Sequence, residues 1–181
     1  MARFVALLRG INVGGKRKLP MAELRAHFED AGARAVQTYI QSGNVVFEAA
    51  ARQGPKLGKT VAESLEAAKG FAVPIVVRTA TAWQAAIDDN PYAAEAEENP
   101  KRVHAMLLDR APTRAARAAF DPDCRLGERW TLGKDILYVD APGGAARSKV
   151  GTPYVDRTLG CIATARNWRT MLALQAKLDE G

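Results

Sequence analysis

Val36-Gln37-Thr38-Tyr39-Ile40-Gln41-Ser42-Gly43-Asn44-Val45-Val46-Phe47 sets β-branched and aromatic residues on both sides of a short polar turn, the pattern of a hairpin. Two strands are expected, Val36 to Ile40 and Val45 to Phe47, joined through Gln41, Ser42, Gly43 and Asn44. Upstream, Pro20 opens a helix in which Leu24, Phe28 and Ala31 share a face and which Gly32 closes. Before it, Phe4 to Leu8 is a short apolar strand. Downstream, Leu57, Val61 and Leu65 recur at i, i+4 and i+8 in a second helix that ends at Gly70, and Phe71, Val73, Ile75 and Val77 then alternate as a strand. The order βαββαβ predicts the ferredoxin-like arrangement, two helices on one face of an antiparallel sheet. Phe4 to Leu8 is apolar toward both faces, so the helix-free face is expected to be covered by the second half of the chain.

That second half begins with a helix that Thr81 caps and that carries Trp83 and Ile87. A strand from Arg102 to Asp109, a helix from Thr113 to Phe120, strands at Trp130 to Leu132 and Asp135 to Asp140, and two closing helices follow. The order loosely repeats the first half, which predicts a structural duplication with no repeat visible in the sequence. The expected fold is α+β: a ferredoxin-like βαββαβ half over residues 1–80 and a second α/β half over residues 81–181, ending in a helix.

The chain has 181 residues, 48% hydrophobic and 25% charged, with a formal charge of +6. This is the composition of a globular protein with some preference for anionic partners. Basic residues gather at both ends: Arg3, Arg9, Lys16, Arg17 and Lys18 precede the first acidic residue, Glu23, and Arg147, Lys149, Arg157, Arg166 and Arg169 follow an acidic middle. Cys124, Cys161, His27 and His104 lack ligand spacing, so no metal site is expected. The run Phe4 to Leu8, stopped by Arg9, is too short for a signal peptide, and no segment approaches membrane-spanning length. A cytoplasmic protein with reduced thiols and no membrane partner is the expectation.

Four polar loops hold the candidate ligand-binding residues. In the first, Arg9, Asn12, Gly14, Gly15 and Lys16 nearly match a phosphate-binding G-x-x-x-x-G-K-[ST] loop. Arg17 cannot supply its metal-binding hydroxyl, and Pro20 would fall inside the helix that must follow. What remains is an anion-friendly loop or a glycine turn with solvated cations. In the second, Gln41, Ser42 and Asn44 fit a hairpin turn as well as a set of ligand contacts; Ser42 has no His or Asp near in sequence to activate it. The third, from Asp140 to Lys149, joins glycines to Ser148 and Lys149 and reads as a connector or an anion loop. In the fourth, Thr164 is expected to cap the last helix, with Arg166 and Asn167 in its first turn, where free N–H groups favour an anion. Its buried stripe would be Trp168, Met171, Leu172, Gln175 and Leu178. His104 reads as a buried, hydrogen-bonded histidine, and no catalytic pair is marked by spacing.

Together the loops resemble the bacterial family called domain of unknown function 1697. The resemblance rests on Leu7-Leu8-Arg9-Gly10-Ile11-Asn12-Val13-Gly14-Gly15, Lys18-Leu19-Pro20-Met21-Ala22-Glu23-Leu24, Tyr39-Ile40-Gln41-Ser42-Gly43-Asn44-Val45, Ser148-Lys149 and Thr164-x-Arg166-Asn167-Trp168-x-Thr170. It implies a two-part α+β fold of ferredoxin-like character and transfers no activity, cofactor or catalytic residue. Three functions follow as expectations. The first is binding of an anionic, phosphorylated small molecule, with or without a reaction. The second is binding of RNA or single-stranded nucleic acid, weakened because only Phe4 and Phe47 offer aromatic rings where bases would stack. The third is a protein-interaction module with no ligand. The sequence names no cofactor and no oligomeric state.

Overall fold

A computed structural model describes residues 1–180. Along the chain run β1 (Ala2–Leu8), α1 (Met21–Asp30), β2 (Arg34–Tyr39), β3 (Asn44–Ala49), α2 (Gly54–Lys69), β4 (Ile75–Thr79) and α3 (Ala80–Asp88). After them come α4 (Ala93–Glu98), β5 (Val103–Leu108), α5 (Arg114–Ala118), β6 (Arg129–Leu132), β7 (Ile136–Asp140), α6 (Thr152–Leu159), β8 (Ala163–Asn167) and α7 (Trp168–Asp179). The chain divides into two compact units: Met1–Ala85 with the chain from Leu174 onward, and Ala86–Ala173. Both divisions therefore fall within a helix, α3 and α7.

The first unit holds an antiparallel sheet in the order β2-β3-β1-β4. Alternation along β1 sends Phe4, Ala6 and Leu8 toward α1 and α2, where they join Leu24, Phe28, Phe47, Leu57, Val61 and Leu65 in one core. Phe47 lies 5.4 Å from Phe4 and 5.2 Å from Phe28, ring centre to ring centre. The start of α2 rests on the first of these rings: a Cβ on Gly54 would come within 2.2 Å of the Phe4 ring, so only glycine fits there. On the opposite face Val5, Leu7, Val46 and Val76 are buried too. The end of α7 belongs to this unit, where Arg3 Nη1 donates to Leu178 O at 2.5 Å and Lys177 Nζ to Gln37 Oε1 at 3.3 Å.

The second unit repeats the topology. Its sheet runs β6-β7-β5-β8, again antiparallel, with Met106, Leu108, Leu137, Val139 and Ala163 facing Phe120, Val155 and Leu159. Registers match between the two sheets: Phe4 pairs with Phe47 and Thr79, and His104 pairs with Val139 and Asn167. Thr79 and Asn167 even share a task, each accepting from the N–H three residues on to cap the helix that follows its sheet. The duplication lies in topology and register.

Three local expectations are corrected. Ala163–Asn167 is a strand paired to β5 and not the start of the last helix. Its composition, Ala-Thr-Ala-Arg-Asn, has little β-propensity, and edge pairing with β5 overrides that weak preference. Asn167, not Thr164, therefore caps α7, and Thr79, not Thr81, caps α3. The buried stripe of α7 is Trp168, Met171, Leu174 and Leu178, with Leu172 exposed. Among the described residues no helix is long and apolar enough to cross a membrane.

Candidate functional site

The loop after β1 is a closed hairpin. Lys16 N donates to Val13 O and Asn12 N to Arg17 O, both at 3.1 Å, and Asn12, Gly14, Gly15 and Arg17 all take positive φ. The Asn12 amide spends its capacity inside the fold: Nδ2 donates to Leu19 O at 2.9 Å and Gln41 O at 2.8 Å, while Oδ1 accepts from Leu19 N at 2.9 Å. It thereby brings the first two candidate loops together. Asn44 is buried, and its Nδ2 donates to Tyr39 O and Ser42 Oγ, each at 2.9 Å. Gly43 has φ +78°, and a Cβ there would sit 2.6 Å from Leu8 Cβ, so this turn admits no side chain. Gln41, Ser42, Gly14, Gly15 and Lys16 are exposed. Arg17 lies over the Phe71 ring at 5.3 Å, and Arg9, Gly10 and Arg17 border an open groove with Ala72 and Pro74. The P-loop comparison fails in the structure as it does in the sequence, because Lys16 sits in a hairpin and α1 begins only at Met21.

In the second unit the loop after β7 borders a cleft of its own. Ser148, Lys149, Gly151, Tyr154 and Arg157 line a cleft of about 450 Å³. Gly151 is the N-cap of α6, whose first N–H groups have no acceptor within the helix. Arg157 lies 5.7 Å over the Tyr154 ring. Neither Lys149 nor Arg157 is matched by a carboxylate among the described residues. Asp123 also borders the cleft, but its carboxylate is held by Arg125 at 2.5 Å. Near the loop, Glu128 is buried; its Oε2 accepts from Leu126 N at 2.8 Å, and its Oε1 has no hydrogen-bond partner among the described residues. Burial alone would raise its pKa, yet the N–H groups of Glu128 itself and Leu126, with the polar groups of Ser148 and Lys149 close by, bring it below the usual carboxylate range.

Beside this cleft, and sharing Ser148 and Gly151 with it, is a cavity of about 180 Å³ walled by His104, Met106, Val139 and Ala165. His104 Nδ1 lies 3.3 Å from Arg102 O. A carbonyl can only accept, so Nδ1 carries the proton and Nε2 keeps its lone pair. Burial pushes the imidazole pKa below its ordinary value, with the Arg102 carbonyl opposing in part, so the ring is neutral at physiological pH.

Ala165 faces this cavity, and alternation along β8 sends Thr164 and Arg166 to the other side of the sheet. The third and fourth candidate loops thus do not converge within the unit. Thr164 is buried with no partner for its hydroxyl among the described residues. Arg166 donates to Ala165 O at 2.8 Å, and burial pushes its guanidinium down to about 10. Asn167 is a cap. Sequence reasoning left out Glu128, Tyr154 and Arg157, and for the last two a signal existed, a cation and an aromatic one turn into the helix that follows Ser148-Lys149.

Asp140 and Asp109, the strand-ending carboxylates, serve structure. Asp140 is wholly buried; Arg102 grips it at 2.5 and 2.9 Å and Arg129 at 2.7 and 3.0 Å. Burial would raise its pKa, and the two guanidinium groups hold it below the ordinary carboxylate value. Arg129 also bonds Glu95 and lies over the Tyr92 ring at 5.0 Å. Asp109 accepts from Ile162 N at 2.7 Å. Burial raises both cysteine thiols, which makes them poor nucleophiles.

The fold and these loops define an α+β protein made of two βαββαβ units with a basic cleft and a small cavity in the second. The chain belongs to the family described as Protein of unknown function (DUF1697), whose profile matches residues 1–138. It is similar in fold over its whole length to the conserved bacterial protein SP0830 from Streptococcus pneumoniae, at 22% identity and a TM-score of 0.72, covering 99% of each chain. No curated protein matches it.

Proposed function

We propose that the protein binds a phosphorylated small molecule in the second unit, with the phosphate in the cleft of Ser148, Lys149, Gly151, Tyr154 and Arg157. The observation that carries this reading is the pair of cations, Lys149 and Arg157, facing one cleft without carboxylate partners. Lys149 supplies a mobile point charge and Arg157 a planar fork steadied by Tyr154. The opening turn of α6 adds N–H groups and the positive end of its dipole. In the first unit the amides of Asn12 and Asn44 already bond within the fold, which leaves Lys16 and the groove at Arg9 and Arg17, where Arg17 lies over the Phe71 ring, as the alternative.

The test is a thermal-shift and calorimetric titration with inorganic phosphate and glycerol phosphate at low and moderate salt. A ligand at a hundredfold its Kd stabilises by about 2.7 kcal/mol, which moves Tm by several degrees. Lys149→Ala and Arg157→Ala are expected to abolish the shift, and Lys16→Ala to leave it intact. Loss on Lys16→Ala alone would move the site to the first unit. A flat response to every phosphate would overturn the reading.

A further inference from the structure

The registers of the two sheets put His104 where the first unit has Phe4, and Val139 where it has Phe47. In the first unit that place is full: the Phe4 and Phe47 rings stack at 5.4 Å, and the start of α2 closes on Phe4 at Gly54. In the second, the same place is bounded by the smaller imidazole and an isopropyl group, and the start of α6 at Gly151 and Thr152 stands at its edge. The space left is the cavity of about 180 Å³. Apolar cavities of about 150 Å³ accept a benzene-sized guest, so this one has room for a single ring.

We propose that the His104 cavity receives a small aromatic ring bearing an O–H or N–H donor, and that this ring is the uncharged end of the anion held in the neighbouring cleft. The inference rests on the phosphate reading above. Met106, Val139 and Ala165 give the ring its apolar walls, and the lone pair on His104 Nε2 has no hydrogen bond among the described residues. A donor on the ring satisfies that nitrogen, which a plain hydrocarbon would leave unpaired in an apolar place. Ser148 and Gly151 border cavity and cleft alike, so one molecule spans both. Selectivity follows: the cleft takes any phosphate, and His104 selects among rings.

Calorimetry with four probes tests this: inorganic phosphate, phenol, phenyl phosphate and 4-hydroxyphenyl phosphate. Phenyl phosphate is expected to bind at least about tenfold tighter than inorganic phosphate, and the para-hydroxyl compound tighter again. Ala165→Leu, which fills the cavity from β8, is expected to erase the gain from the ring while inorganic phosphate binds as before. His104→Leu is expected to erase only the gain from the hydroxyl, and the His104 ring signals in NMR should move on addition of 4-hydroxyphenyl phosphate and not of inorganic phosphate. Equal affinity for inorganic and aromatic phosphates would overturn the cavity inference and leave the cleft reading standing. Phenol binding without any phosphate affinity would overturn the cleft reading and, with it, the joined ligand.

Discussion

The two units share strand order, register and even the helix caps at Thr79 and Asn167, yet they spend the same positions differently. The first fills the middle of its sheet with Phe4 and Phe47 and ties its polar loops back on themselves through Asn12 and Asn44. The second leaves that middle partly open and keeps a buried carboxylate, Asp140, at the sheet's end. Duplication supplies a fold twice, and once one copy carries the packing the other is free to lose some of it. A site is therefore to be sought in the less filled copy, and here that copy also sets two cations, Lys149 and Arg157, on one cleft.

The contrast breaks most visibly in the cores. Phe4→Ala removes a fully buried ring that touches Phe47 and Gly54, and is expected to cost about 3–5 kcal/mol in urea denaturation. The matching change, His104→Ala, enlarges a space already present and is expected to cost about 1 kcal/mol or less. Equal losses would mean that the second unit is packed as tightly as the first.

Asp140→Ala is expected to come next, at about 2–3 kcal/mol, because hydrogen bonds from two guanidinium groups are lost together. Its counterpart by register is Glu48, which pairs with Arg3 at 3.3 Å and whose side chain is 29% exposed, so Glu48→Ala is expected to cost under about 1 kcal/mol. Acid separates them as well. The Asp140 pKa is lowered in the fold, so its contribution is present above the unfolded value and disappears as pH falls through the folded value. Below about pH 4 the wild-type protein should lose more stability than Asp140→Ala does.

These contrasts also explain what was legible beforehand. The first unit could be read element by element because each carries its own signal: Pro20 and Gly70 at helix ends, Leu57, Val61 and Leu65 on one stripe, and a polar turn between Ile40 and Val45. The strand Ala163–Asn167 could not, since its identity comes from pairing with β5 and not from its residues. That hidden strand also places Arg166 in an edge strand of the sheet and not at a helix N-terminus. The Ser148-Lys149 loop was legible as basic and glycine-rich. Tyr154, Arg157 and the buried carboxylate Glu128 lie outside that loop in the sequence, and only the fold makes them its neighbours. The cavity was invisible in principle, because a void is a difference between two packings and no single residue announces it.

The smallest effect sharpens the comparison most. His104→Phe restores in the second unit the ring that the first unit has, and the room for it exists, so stability at pH 7 is expected to change by about 1 kcal/mol or less. The pH dependence should change more. Burial depresses the His104 pKa, so between the folded value and about 6.5 the unfolded chain binds a proton that the folded protein refuses. Stability in the wild type is therefore complete above about pH 6.5 and declines as pH falls below it. Subtracting the His104→Phe profile from the wild-type profile, both measured by urea denaturation from pH 7 to pH 5, isolates that decline from every other titrating group. A flat difference would show that folding does not disfavour the protonated imidazole, and the neutral form of His104 at the cavity would then rest on its ordinary pKa and on the contact with Arg102 O alone.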